Sequence, residues 1–137
     1  MKQRVPISQI MTKELITLTP KDSLYDAEKL FIKHNIRHLP IVEGQKLVGV
    51  VSYSDLLKIS YADVTEEDDI EAVVYDMYTI PQLMAKSPVT VSPETNIKDV
   101  AETLSKVSFH SIPIVEGEDL VGIVTTTDLL KYFINQY

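Results

Sequence analysis

The sequence predicts a mixed α/β (α+β) protein of two β-α-β-β-α repeats packed about a pseudo-twofold axis. Three observations lead there. The stretch Ile7–Lys58 superposes on Ile80–Lys131 without a gap, and about 40% of the aligned positions are identical. In each copy, apolar residues at helical spacing precede two β-rich runs that flank a Gly-containing turn. A length of 137 residues suits one compact domain or two small repeats.

The elements follow in order. A helical lead-in is expected at Ile7–Met11 and again at Ile80–Met84. A short apolar strand, Ile16–Leu18 or Val89–Val91, ends at Pro20 or Pro93, which suits a turn or a helix entrance. The first helix reads from Leu24, Ala27, Leu30 and Phe31, and from Ile97, Val100, Ala101 and Leu104 in the second copy. Two hairpins come next. Leu39–Val42 and Leu47–Val51 flank Glu43-Gly44-Gln45-Lys46; Ile112–Val115 and Leu120–Val124 flank Glu116-Gly117-Glu118-Asp119. A final helix follows Ser52 or Thr125. One repeat has too little apolar face for its own core, so the two are expected to press their sheets together. The organisation is therefore repeat 1 at 1–58, a linker at 59–79 and repeat 2 at 80–137. Ile70, Val73, Val74 and Met77 give the linker a helical spacing.

Composition excludes several chemistries. There is no cysteine, hence no disulfide, thiolate metal site or thiol nucleophile. The net charge of −7 sits in the linker, where Asp63, Glu66, Glu67, Asp68, Asp69, Glu71 and Asp76 meet no Lys or Arg. The thirteen other acids balance the thirteen Lys and Arg, so no basic stripe exists for a nucleic acid. The start MKQRVPISQIMTK has no apolar signal core, and no apolar run is long enough to span a membrane. A cytoplasmic location is expected, without nucleic-acid or membrane partners.

Two constellations carry chemistry, and each occurs twice. Gly49-Val50-Val51-Ser52-Tyr53-Ser54-Asp55 and Gly122-Ile123-Val124-Thr125-Thr126-Thr127-Asp128 run from a strand into a helix. One reading is a capping box, with Ser52 or Thr125 as cap and Asp55 or Asp128 three residues on. The other is a ligand cradle on the same geometry. Helix N-terminal amides and the hydroxyls of Ser52, Ser54, Thr125 and Thr127 suit phosphate, and a carboxylate accepts from paired ribose hydroxyls. Gly49 and Gly122 mark a close approach by ligand or backbone. The second constellation precedes Pro40 and Pro113. It holds Arg37 and His38 in one copy and His110, followed by Ser111, in the other. Arg can grip phosphate bidentately and His can donate to it; a solvated strand start is the plainer alternative.

With both copies carrying G-h-h-[ST]-x-[ST]-D behind a proline-led hairpin, the chain resembles a pair of cystathionine-β-synthase (CBS) domains, a Bateman module, over about residues 5–135. The resemblance implies a regulatory sensor that binds AMP, ADP, ATP or S-adenosylmethionine in clefts between the two repeats. It implies that Asp55 and Asp128 hold ribose. Ser52, Ser54, Thr125, Thr127, Arg37, His38 and His110 would then meet phosphate. Backbone around Ile16, Thr17, Val89 and Thr90, with Pro40 and Pro113 beside it, would frame the base. It also implies a homodimer, anchored by Leu129, Leu130, Tyr132, Phe133, Ile134 and Tyr137, that signals to an effector protein.

Catalysis has no support: there is no P-loop, no H-E-x-x-H and no G-x-S-x-G. No catalytic residue, resident cofactor or metal ligand is expected. Two further readings stand beside the sensor. One is a dimerisation scaffold with empty clefts. The other is a divalent-cation sensor using Thr65-Glu66-Glu67-Asp68-Asp69, which lacks the spacing of a calcium loop.

Overall fold

A computed structural model describes residues 4–62, 75–107 and 110–137. A short 3-10 turn, Ile7–Gln9, leads into α1 (Leu24–His34), β1 (His38–Glu43), β2 (Lys46–Ser52) and α2 (Tyr53–Ala62). The second copy gives α3 (Ile80–Leu83), α4 (Ile97–Lys106), β3 (Ser111–Glu116), β4 (Asp119–Thr125) and α5 (Thr126–Ile134). Helix and sheet are mixed, as expected. The linker's acidic run and the spacing through Val74 lie outside the described residues. Tyr75–Met77 is helical, and Tyr75 is buried edge-on to Tyr25, its hydroxyl donating to the Glu28 carboxylate.

Each hairpin has the same irregularities. Glu43 pairs with Lys46 and Glu116 with Asp119, leaving two-residue loops that begin at Gly44 and Gly117. Both glycines have φ +63°, a left-handed conformation that L side chains resist. Ile41 pairs with Gly49 but Val42 with Leu47, so Val48 is a one-residue bulge; Val121 is its counterpart.

The expected strands Ile16–Leu18 and Val89–Val91 shrink to single parallel bridges, Leu18 to Ile41 and Val91 to Ile114. Proline is the physical reason. Leu18 N–H donates to the Pro40 carbonyl at 3.1 Å and Val42 N–H donates to the Leu18 carbonyl at 2.8 Å. Extending that ladder would need an N–H from Pro40 on one side and from Pro20 on the other. Neither residue has one. Pro113 and Pro93 stop the second bridge in the same way.

The first helix of each copy buries the predicted stripe. Leu24, Ala27 and Phe31 are buried on α1, and Ile97, Val100 and Leu104 on α4. A capping box starts α1: Asp26 N–H donates to Ser23 Oγ, and Ser23 N–H to the Asp26 carboxylate. That backbone donor, followed by the Ser23 hydroxyl, holds the Asp26 carboxyl below its ordinary value. The resulting stability is present above the unfolded carboxyl's pKa and is lost as pH falls through the lower, folded one.

The chain forms two compact units that cut across the sequence repeats. One is Ile16–Ser87; the other is Met1–Leu15 with Pro88–Tyr137. The lead-in of the first copy therefore packs with the hairpin of the second, and the reverse. Thr12 N–H donates to the Ile123 carbonyl at 2.8 Å and Ile123 N–H returns the bond at 3.0 Å. Ala85 and Val50 exchange the matching bonds at 2.8 and 3.1 Å. Ile7, fully buried, joins Ile97, Val100, Ile112, Ile114 and Val124; Ile80 joins Leu24, Phe31, Leu39, Ile41 and Val51.

The lead-ins also explain two glycines. A Cβ on Gly49 would lie 2.5 Å from Met84 Sδ and 3.0 Å from the Ala85 carbonyl; one on Gly122 would lie 2.5 Å from Met11 Sδ. The close neighbour at each strand glycine is thus a methionine of the packed lead-in, joined at Gly49 by backbone. Gly49→Ala should destabilise by roughly 1–3 kcal/mol through overpacking. Urea unfolding checks it, and wild-type stability in the variant would show that the methionine yields freely.

Candidate functional site

The predicted residues collect into two groups, each within one unit. In the unit Ile16–Ser87, β1 and β2 set His38 across from Ser52 and Pro40 across from Val50. The first amide of α2, Tyr53 N–H, donates to the Arg37 carbonyl at 2.8 Å. The Leu18 bridge lays Ile16 and Thr17 along β1. Ile16, Thr17, Arg37, His38, Pro40, Ser52, Ser54 and Asp55 therefore share one corner. The other unit repeats it: Ser111 faces Thr125, Pro113 faces Ile123, and Thr126 N–H donates to the His110 carbonyl at 3.0 Å. Val89, Thr90, His110, Pro113, Thr125, Thr127 and Asp128 share that corner.

Both readings of the Ser/Thr-to-Asp motif meet here. Thr125 and Asp128 form a full capping box: Asp128 N–H donates to Thr125 Oγ1 at 3.1 Å and Thr125 N–H to Asp128 Oδ2 at 3.0 Å. Asp55 N–H donates to Ser52 Oγ at 3.0 Å. Two of the amides at each of these helix N-termini are already occupied. The first is taken by the Arg37 or His110 carbonyl, and the third by the cap. What remains outward is different. The hydroxyls of Ser54 and Thr127 are exposed and make no hydrogen bond among the described residues. Asp128 uses only Oδ2, leaving Oδ1 without a partner among them. Asp55 Oδ1 lies 4.0 Å from Lys58 Nζ, a solvent-exposed pair of little energetic weight.

The buried prolines act through what they lack. Because Pro40 and Pro113 cannot donate, the carbonyls of Ile16 and Val89 have no ladder partner among the described residues. A backbone acceptor beside a carboxylate and two hydroxyls can meet an amino group, a diol and an anion together. Arg37 is exposed and makes no ion pair among the described residues, and His110 is exposed as well.

Thr12 escaped the sequence reading. Its Oγ1 lies 3.4 Å from Asp128 Oδ2. Nothing in the repeat pattern marked it, because its counterpart is Ala85 and its partner lies 116 residues away. An open groove of about 510 Å³ bordered by Arg4, Asn96, Lys98, Asp99, Tyr132 and Phe133 contains none of the predicted site residues. Among the described residues no group of three His, Asp or Glu is placed to hold a metal, and no helix is long and apolar enough to cross a membrane. The acidic run at 65–69 lies outside them.

The chain is similar in sequence and fold to known proteins. L-aspartate semialdehyde sulfurtransferase of Methanocaldococcus jannaschii is 33% identical over 129 residues, which is 93% of this chain and 23% of that protein. The chain spans only 22–43% of the length of the first curated relatives it matches. The CBS domain pair of protein MJ0100, solved with 5′-methylthioadenosine and S-adenosyl-L-methionine, is 30% identical with a TM-score of 0.80, covering 98% of this chain and all of that one. CBSX2, known from Arabidopsis thaliana and solved with AMP, is 27% identical with a TM-score of 0.81, covering 96% of this chain and 97% of that one. The model of the CBS domain matches twice, at residues 7–62 and 74–135. With both repeats matched, the chain belongs to the CBS-domain family as a CBS pair, a regulatory type of module.

Proposed function

We propose that this CBS pair senses an adenosine-containing ligand, AMP, ADP, ATP or S-adenosylmethionine, and passes its occupancy to a protein or domain it regulates. One observation carries the reading. The same set of an unpartnered carbonyl, a carboxylate and an outward hydroxyl is built twice, at Ile16, Asp55 and Ser54 and at Val89, Asp128 and Thr127. Capping alone accounts for Ser52, Thr125 and Asp128. It does not account for the proline-freed carbonyls or the second hydroxyls. The likeness to CBS pairs solved with AMP and with S-adenosylmethionine supports the ligand class. In this reading the domain division is 1–58, 59–79 and 80–137, the location cytoplasmic, and the chain contributes regulation rather than catalysis.

A melting-temperature panel with AMP, ADP, ATP, S-adenosylmethionine and 5′-methylthioadenosine tests it. A ligand at 100 times its dissociation constant stabilises by about 2.7 kcal/mol. Silence across the panel would leave a scaffold with empty clefts.

Arg37 and His38 supply the cationic end of one group and His110 that of the other. Arg37→Ala should cost ATP about 1.5–3 kcal/mol, the worth of a charge-assisted hydrogen bond, and adenosine far less. Equal losses in calorimetry would remove Arg37 from phosphate recognition.

The proposal extends to a homodimer. Leu130, Phe133, Ile134 and Tyr137 follow helical spacing and are 61%, 44%, 69% and 106% exposed. A light-scattering mass of one chain at micromolar concentration would overturn that part.

A further inference from the structure

We infer that Thr12 is a positioning residue for Asp128, and that Thr12 against Ala85 gives the two ligand groups unequal affinity. The inference rests on the reading of Asp128 as the ribose acceptor and adds a residue and an order of filling.

The two lead-ins reach their hairpins by the same backbone bonds. Thr12 exchanges two with Ile123, and Ala85 exchanges two with Val50. Each Cβ is thereby fixed beside the strand that runs into a helix carrying an aspartate. The side chains then differ. Thr12 presents a hydroxyl 3.4 Å from Asp128 Oδ2, at the outer edge of hydrogen bonding, and Ala85 presents nothing to Asp55.

The consequence lies in how each carboxylate is held. Asp128 Oδ2 receives the Thr125 amide and faces the Thr12 hydroxyl. Both donors are on one oxygen, which leaves Oδ1 as the acceptor for a diol. Asp55 has no such second donor, and its Oδ1 faces Lys58 across 4.0 Å of exposed surface. A ribose there meets a carboxylate whose orientation no second donor fixes. Ordering a side chain before the ligand arrives removes that cost from binding. For adenosine, which carries no phosphate for Arg37 to grip, the Asp128 group is therefore the tighter one and fills first.

Calorimetric titration of adenosine into wild type, T12V, T12S, D128N and D55N tests this. Thr12 is exposed, so T12V, which keeps the shape and loses the hydroxyl, should keep its melting temperature. It should weaken the tighter class of sites about 3- to 10-fold, the worth of one hydrogen bond. T12S, which keeps the hydroxyl, should bind as wild type. D128N should weaken the tighter class and D55N the weaker one. If D128N weakens binding while T12V binds as wild type, or if T12S loses as much as T12V, the inference is overturned and the ribose reading stands. The inference also fails if D55N removes the tighter class. If neither aspartate variant changes adenosine binding, the ribose reading itself falls.

Discussion

Asp128→Asn should leave the chain folded and lower AMP affinity at its group about 10- to 150-fold, with Asp55→Asn doing the same at the other. The two roles of the aspartate separate cleanly under this substitution. As a helix cap, Asp128 accepts the Thr125 amide through one oxygen, and asparagine keeps one carbonyl oxygen for that bond. The loss there is the charge near the helix N-terminus, about 0.3–1 kcal/mol. As a ribose acceptor, Asp128 offers the oxygen that makes no hydrogen bond among the described residues. Asparagine puts either that oxygen or the capping one out of use, because its amide nitrogen can only donate. At least one ribose hydroxyl or the Thr125 amide then lacks a partner, which costs about 1.5–3 kcal/mol. Calorimetry on both single variants and the double variant, with melting temperatures alongside, reads the two effects apart. A double variant that binds AMP as well as the parent would remove both aspartates from ligand recognition.

Ile7→Ala should destabilise the protein by about 2–5 kcal/mol, a larger effect than its place near the start of the sequence indicates. Ile7 is fully buried against Ile97, Val100, Ile112, Ile114 and Val124, all from the second copy. Truncating it opens a cavity in a core to which the first copy's helix and hairpin contribute nothing. The amides of β3 and β4 should therefore lose hydrogen-exchange protection first, with those of β1 and β2 retaining more. Ile80→Ala should produce the mirror pattern, because Ile80 completes the core of Leu24, Phe31, Leu39 and Ile41. Protection lost equally over both hairpins in each variant would show that the cores do not open separately.

Much of this was readable from residues alone. The hairpins followed from β-rich runs around Gly44 and Gly117, and the helices from stripes such as Leu24, Ala27 and Phe31. The grouping of Arg37 with Ser52 and Asp55 followed from their recurrence at matched positions. Partner choice for the lead-ins was not readable. Met11 and Met84 sit at equivalent places, and either could cover either strand glycine, so repetition cannot say which hairpin each one meets. The shortening of the Ile16–Leu18 strand was written in Pro20 and Pro40, yet it becomes visible only once the parallel register is known. Thr12 lay outside reach for another reason. Its role is a difference between the copies, and a search for repeats finds what the copies share.

The exchanged lead-ins also impose an order on folding. The unit Ile16–Ser87 is contiguous, so its core of Leu24, Phe31, Leu39, Ile41 and Ile80 can close when those residues have left the ribosome. The other unit joins Ile7 to strands more than 100 residues downstream, a closure of high sequence separation. At ordinary synthesis rates Ile7 waits on the order of ten seconds for its partners, an apolar side chain held near an already folded neighbour. Assembly should thus be sequential, with the slow phase of refolding belonging to the unit that contains both Thr12 and Asp128. The group with the more completely positioned carboxylate thus forms after the other.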